Sequence, residues 1–447
     1  MEKQGYSEKI RILFSQNNID VFDAISISLT NGNRIEGIVM PRPQYGDPDC
    51  IILKLKNGYN IGINIAKVEK IRLLKKYVKP ILKKYKEINY NPSLPTVIIL
   101  GTGGTIASRI DYKTGAVYPF YTPRDIYTMI PELEEIANIK VEMVFSIFSE
   151  DMDPNKWSTL AEKIYEKYLE EEISGIIVAH GTDTMGYTAA ALSFSLRNLP
   201  GPVILVGAQR SSDRPSSDTI LNLYSSFVIA TKAIFGEVVV AMHGDTSDDI
   251  VLVHRGTRVR KCHTSRRDAF QSINSSPIAM VKDGEIVMLT KNIRKRVGGK
   301  ISLENGFEEK VALIKFFPGM EGEIIDRLID LNYKGIVIEG TGLGHVGKKL
   351  LKSIKRAIDE EIPVAITSQC IWGRVNLNVY RRGIELLKMG VIPCEDMLSE
   401  TAFVKLSWVL YRTTSLKEIR KLMLKNIAYE ISPRTQYNHY LRQAYFT

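Results

Sequence analysis

Two turns in this sequence place threonines where a hydroxyl can do chemistry. Leu100-Gly101-Thr102-Gly103-Gly104-Thr105-Ile106-Ala107 follows the apolar run TVIIL, and Ala179-His180-Gly181-Thr182-Asp183-Thr184-Met185 ends the run SGIIVAH. Each run reads as a buried parallel strand, so each turn falls at the carboxyl edge of a sheet, where open α/β folds bind ligands. Glycines there let the backbone approach a ligand, and helix-start N–H groups suit a carboxylate or a developing oxyanion. GTGG is neither GxGxxG nor a Walker A sequence, which argues against a nucleotide. A single threonine in such a turn is usually a helix N-cap; a pair on two sheet-edge turns, one directly beside an acid, points further. A threonine hydroxyl is a poor nucleophile until a neighbour takes its proton. The segment Arg258-Val259-Arg260-Lys261-Cys262-His263-Thr264 offers a lysine, which can activate a hydroxyl if burial lowers its pKa. A Thr–Lys–Asp relay then follows Ser–His–Asp logic with other residues. His180 reads as structural. His243, Asp245, Asp248, Asp249 and His254 match no common ligand spacing, so no metal is expected.

The elements that must position these groups alternate from residue 96 onward. TVIIL (96–100), IKVEMVFSIF (139–148), SGIIVAH (174–180), PVILVGA (202–208) and EVVVAMHG (237–244) read as strands, and 153–171 and 188–199 as helices. This alternation predicts a parallel, doubly wound sheet. The stretch 291–310 is polar and reads as a linker. After it come VALIKFF, a helix, KGIVIEG (334–340) with the turn TGLGHVG, and terminal helices. The first ~75 residues read as β structure: AISISL, the turn Thr30-Asn31-Gly32-Asn33, RIEGIVM, a Pro/Gly/Asp loop at 41–49, then CIILKLK, the Asn57-Gly58 turn, YNIGINI and VEKIRLL. Five short strands suggest a small SH3-like or Sm-like β-barrel. Such barrels often bind RNA or peptides, but no base-stacking aromatic pattern is present here.

Composition bounds the answer. The chain has 447 residues, 44% hydrophobic and 25% charged, which excludes a disordered, collagenous or disulfide-scaffold protein. No run approaches the ~18 apolar residues of a membrane span, and the first residues lack a secretory pattern. The four cysteines, Cys50, Cys262, Cys370 and Cys394, are widely spaced without CxxC, which suits a reducing cytoplasm. Of the net charge of +10, residues 1–90 hold +7, and the run 67–86 has nine basic residues and one acid. A basic edge attracts phosphate backbones, while the plainer reading is a solvated linker.

Longer motifs carry a family resemblance. TGGTIA at 102–107, SEDMDPNKWSTLA at 149–161, HGTDTMGYTA at 180–189, VGAQRSSDRPSSDTILNLY at 206–224 and SQCIWGRVNLNVY at 368–380 resemble the asparaginase/glutaminase family of bacterial type, in its order, over about 96–425. The resemblance implies an amidohydrolase whose threonine attacks a side-chain amide and releases ammonia through an acyl-enzyme. It assigns catalytic roles to Thr102, Thr182, Asp183 and Lys261, and binding of the substrate's α-amino acid end to Ser149, Glu150 and Asp183. The basic extension before residue 96 is absent from free asparaginases and resembles the D-subunit family of archaeal tRNA-dependent amidotransferases. His345 stands where asparaginases place an asparagine, which also argues against a free asparaginase. The mobile-loop tyrosine stays open among Tyr112, Tyr118 and Tyr121.

The expected architecture is therefore α/β: a two-domain, asparaginase-like, doubly wound core with a small N-terminal SH3-like/Sm-like β-barrel. Expected divisions are 1–75 (barrel), 76–95 (basic linker), 96–290 (first α/β domain), 291–310 (linker) and 311–447 (second α/β domain with terminal helices). The resemblance implies a cytoplasmic glutaminase subunit that hydrolyses L-glutamine and passes ammonia to an E subunit. That partner converts glutamyl-tRNA(Gln) with ATP and Mg²⁺, no cofactor residing in this chain, and the expected assembly is a homodimer core within a heterotetramer. The alternatives are a stand-alone L-asparaginase and a non-catalytic RNA-binding or assembly protein. The latter predicts loss of one of the four catalytic-type residues, yet all are present.

Overall fold

The run Thr96–Gly103 forms an inner strand of the principal sheet, buried along nearly its whole length because helices cover both faces. In the computed structural model, the residues described are 5–42, 46–56, 60–77, 90–103, 108–110, 117–119, 122–210, 217–299 and 301–435. The Asn57-Gly58 turn, Gly104–Ala107, residues 78–89 of the basic linker, Tyr112, Tyr121 and the Tyr118 side chain lie outside them.

The principal sheet has eight strands. Asn138–Ile147, Thr96–Gly103, Gly175–Ala179, Val203–Val206 and Val238–His243 run parallel, in that spatial order. The parallel expectation fails beyond them: Ile250–Arg255, Ala279–Lys282 and Glu285–Met288 add on antiparallel. For the last pair the reason is local. Asp283 and Gly284 adopt positive φ (50° and 74°), the turn chemistry that folds two strands into a hairpin instead of a crossover. Helices Pro154–Glu170 and Thr219–Lys232 pack on the sheet. The first starts at Asp153, whose carboxylate accepts from the Lys156 N–H at 2.9 Å, as an N-cap should. The helix expected at 188–199 spans Met185–Ser195 instead; Leu196–Arg197 leave it to pair antiparallel with Ser302–Leu303. The stretch 291–310 is thus more than a polar linker, and it buries Ile301 and Phe307.

A second sheet carries Val311–Lys315, Gly335–Gly340, Val364–Ser368 and Ile392–Pro393, all parallel. Helices Ser399–Leu410 and Leu416–Leu424 close it against the first unit. Trp157, Ala190, Ala191 and Phe194 share one apolar cluster with Val337, Val404, Trp408 and Ile419.

Ahead of both, residues 24–75 form a five-stranded antiparallel sheet. Its order is Asn60–Asn64, Cys50–Lys54, Arg34–Val39, Ala24–Leu29, Val68–Lys75, so the first strand pairs with the last. An all-β reading of this region misses the helix Glu8–Gln16, which buries Ile10 and Phe14 against Ile25, Ile27, Ile51 and Leu53. Their four-residue spacing is the helical signal.

Candidate functional site at the carboxyl edge of the sheet

Thr102 ends the strand Thr96–Gly103, and its hydroxyl donates to the Ala179 carbonyl on the neighbouring parallel strand at 3.0 Å. The first threonine is thereby fixed beside the second threonine turn. The chain can pass this point only because residue 103 is glycine. Its φ is +111°, and a Cβ there would sit 2.0 Å from the Ile147 carbonyl oxygen.

The second turn links strand Gly175–Ala179 to helix Met185–Ser195. It is held from within by His180, which is 1% exposed. His180 Nδ1–H donates to the Gly181 carbonyl at 2.7 Å, and the Thr188 hydroxyl donates to Nε2 at 2.9 Å. Burial pushes its pKa down to about 4, so it stays neutral near pH 7 and is structural, in line with its place ahead of the glycine turn. Gly181 brings the turn against Ser149, where a Cβ would meet the Ser149 Cβ at 2.7 Å. The Thr184 hydroxyl donates to the Ser149 carbonyl at 2.6 Å. Ser149 itself is buried in a short 3-10 turn, and its hydroxyl donates to Glu150 Oε2 at 3.1 Å.

Lys261 arrives from a hairpin formed by Val259–Lys261 and Phe270–Ser272. Its Nζ donates to Thr182 Oγ1 at 2.9 Å and to Asp183 Oδ1 at 2.8 Å. The lysine is 14% exposed and the aspartate 60% exposed, so the cation is largely withdrawn from water while the acid faces the open edge. Thr182, Asp183 and Lys261 are brought together, with Ser149 beneath the turn and Thr102 alongside it. Glu150 is exposed at the rim.

Several supporting residues went unread in the sequence. Gly207 lies under Thr182, where a Cβ would meet Thr182 Cγ2 at 2.8 Å. The Gly207 carbonyl accepts from Asn222 Nδ2 at 3.1 Å. Asn222 Oδ1 accepts from His243 Nδ1 at 2.6 Å, and His243 Nε2 lies 3.0 Å from Asp248. Asp218 is fully buried and accepts from the Gln209 and Arg210 N–H groups, both at 3.0 Å. The i, i+4 placement of Asp218 and Asn222 on one helical turn was the available signal. His243 and Asp248 thus buttress the turn. His254 meets the Ser272 hydroxyl at 2.8 Å, and burial pushes its pKa down to about 3. Among the described residues, no three His, Cys, Asp or Glu side chains gather as a metal site. His345 sits in the second unit at the TGLG turn, its ring 5.4 Å from that of Tyr380.

Comparison with known proteins identifies the family and the fold. The family described as Asparaginase, N-terminal matches residues 96–294, the Glutaminase/Asparaginase C-terminal domain matches 310–423, and the GatD N-terminal domain matches 19–74. A solved thermostable L-asparaginase from Thermococcus kodakarensis is 35% identical with a TM-score of 0.69, covering 76% of this chain and all of its own. L-asparaginase I from Vibrio cholerae is 28% identical with a TM-score of 0.67, covering 76% of this chain and 99% of its own. The fold of the core is therefore asparaginase-like. Relatives named as the D subunit of glutamyl-tRNA(Gln) amidotransferase match nearly end to end. That of Thermofilum pendens is 50% identical over 98% of each chain, and that of Pyrococcus furiosus is 54% identical over 97% of this chain and 100% of its own. With a carboxyl-edge threonine site on an asparaginase-like core and a matching N-terminal domain ahead of it, the chain belongs to the D-subunit family of glutamyl-tRNA(Gln) amidotransferases.

Proposed function

We propose that this protein is the glutaminase subunit of a tRNA-dependent amidotransferase. One observation carries the catalytic part: Lys261 Nζ binds both Thr182 Oγ1 and Asp183 Oδ1 at the carboxyl edge of the sheet. A threonine oxygen attacks the side-chain amide carbon of L-glutamine, and its proton passes by way of this relay to the departing nitrogen, which leaves as ammonia. Water then hydrolyses the acyl-enzyme to glutamate. As an ammonium ion Lys261 stabilises negative charge on Thr182 Oγ1; to accept the hydroxyl proton it must first release one of its own. Thr102 acts as the second catalytic threonine. Ser149, Glu150 and Asp183 hold the α-amino acid end, the two carboxylates taking the ammonium group and the Ser149 hydroxyl turning from Glu150 to the substrate carboxylate.

The ammonia serves an E subunit that amidates glutamyl-tRNA(Gln) with ATP and Mg²⁺. In this reading two copies of the chain form the core of a cytoplasmic heterotetramer. The division is 1–75, 76–95, 96–290, 291–310 and 311–447. Five antiparallel strands with the first paired to the last support a small SH3-like or Sm-like barrel in the first part. Among the described residues no helix is long and apolar enough to cross a membrane.

The full-length likeness of the core to solved L-asparaginases favours one second reading, a free asparaginase carrying an extension. Ammonia release separates the two. The purified chain is assayed with glutamine and with asparagine, alone and then with the E subunit, ATP, Mg²⁺ and glutamyl-tRNA(Gln). Glutamine turnover that rises on adding partner and charged tRNA supports the amidotransferase. Fast asparagine turnover, indifferent to those additions, supports the asparaginase.

A further inference from the structure

At the end of the sheet away from the threonines lies a cavity of about 420 Å³, within the size range of small-ligand sites, roughly 300–1,000 Å³. Val238 lies in its wall, at the amino end of the strand Val238–His243, so it does not belong to the carboxyl-edge site. Arg197, Arg255, Arg294 and Lys295 line it, against a single carboxylate, Glu237. That carboxylate is already engaged: it accepts from Arg255 Nε at 2.8 Å and from the Arg294 N–H at 2.8 Å. Arg255 and Arg294 lie 4.2 and 5.3 Å from the centre of the Tyr429 ring.

Two donors remain unspent. Arg197 Nη1 is used on the Ser193 carbonyl, but Nη2 is buried without a hydrogen-bond partner, and Glu304 at 3.9 Å pairs with it by charge alone. The Lys295 ammonium has no partner among the described residues, and it stands exposed at the mouth. Cations gathered in a partly enclosed cavity repel one another, and burial already opposes the Arg197 charge. An anion relieves both costs, and a guanidinium fork suits an oxyanion. We propose that this cavity binds a small, multiply charged oxyanion of the phosphoryl or polycarboxylate class, held by Arg197 and Lys295 with Arg255 and Arg294 behind them.

Calorimetric titration of the full chain with pyrophosphate and with citrate, at fixed ionic strength, tests this. Saturable one-to-one binding of at least one anion is expected, the preferred probe naming the source. Arg197→Gln and Lys295→Gln should each weaken it by about tenfold, the scale of one charge-assisted hydrogen bond, whereas Lys261→Met should leave it unchanged. Lys295 is exposed, so its replacement keeps the test decisive even if Arg197→Gln disturbs the fold. Absence of saturable binding, binding that survives both substitutions, or loss in Lys261→Met would overturn the proposal.

Discussion

A lysine that donates at once to a threonine hydroxyl and an aspartate has little structural reason to be there. Asp183 is 60% exposed, and an ion pair that open to water contributes about 0–1 kcal/mol. Lys261→Met should therefore leave the melting temperature nearly unchanged while lowering glutamine turnover by about 10²–10⁴-fold, the range of general acid–base effects. Thr102→Val and Thr182→Val remove a hydroxyl with little change in volume and should do likewise; full activity in either would remove that threonine from the mechanism. His180 behaves oppositely, as a residue of stability. Its folded pKa, about 4, lies below the unfolded value near 6.5. The unfolded chain then binds the proton first. The stability it contributes is complete above pH 6.5 and declines as the pH falls towards 4, by on the order of 3 kcal/mol. Urea unfolding of the protein and of His180→Asn at pH 7.5 and 4.5 should show a smaller loss in the variant.

At the scale of elements, the site depends on backbones that approach closer than side chains allow. Gly103 is the sharpest case, since positive φ and the Ile147 carbonyl both forbid a Cβ. Gly103→Ala must displace the strand end carrying Thr102. Its expected cost is about 1–3 kcal/mol or more, read by urea unfolding, with a fall in activity larger than the loss of folded protein explains. Gly181 and Gly207 do the same service against Ser149 and Thr182. Such roles are only half legible in a sequence: glycine at a strand end announces a tight turn, but the surface it must clear comes from residues dozens of positions away. The hairpin at Asp283-Gly284 and the helix Glu8–Gln16 have their signals in turn chemistry and in apolar spacing. Those signals are short, and the longer patterns around them, strand–helix alternation in one case and successive short strands in the other, outweigh them.

Across the whole molecule, the two α/β units are pinned by a buried cation. Arg258 donates to the Asp396 carbonyl at 3.0 Å, its carboxylate at 3.1 Å, the Tyr429 carbonyl at 2.8 Å and the Ser432 hydroxyl at 2.8 Å. Arg258 and Asp396 are 1% and 3% exposed. Arg258→Ala leaves the buried carboxylate only the Ser432 N–H at 2.9 Å and Arg374 at 3.8 Å, and should cost about 3–5 kcal/mol by urea unfolding. A loss of activity should follow, because Arg258 directly precedes the short strand that ends at Lys261. The N-terminal sheet has its own apolar cluster, so deleting residues 1–75 should leave the melting temperature and glutamine hydrolysis of the core intact while weakening tRNA amidation. Unimpaired amidation by the shortened chain would make that sheet dispensable.

By itself the sequence determined the alternation of strands and helices, the two carboxyl-edge turns and the identity of the groups that meet there. Those properties are local: apolar periodicity, turn residues and motif order are all carried by neighbours in the chain. Only the tertiary structure decided that Lys261 reaches Thr182 and Asp183 across 79 and 78 positions of sequence, because that contact depends on how a distant hairpin packs. It alone gave His243 and Asp248, which the sequence left without a role, their place in the support beneath Gly207. It also gathered Arg197, Arg255, Arg294 and Lys295 around one cavity with a single carboxylate. A sequence shows how charge is spread along the chain; where distant like charges converge is settled by folding, and there the energy of bringing them together is felt.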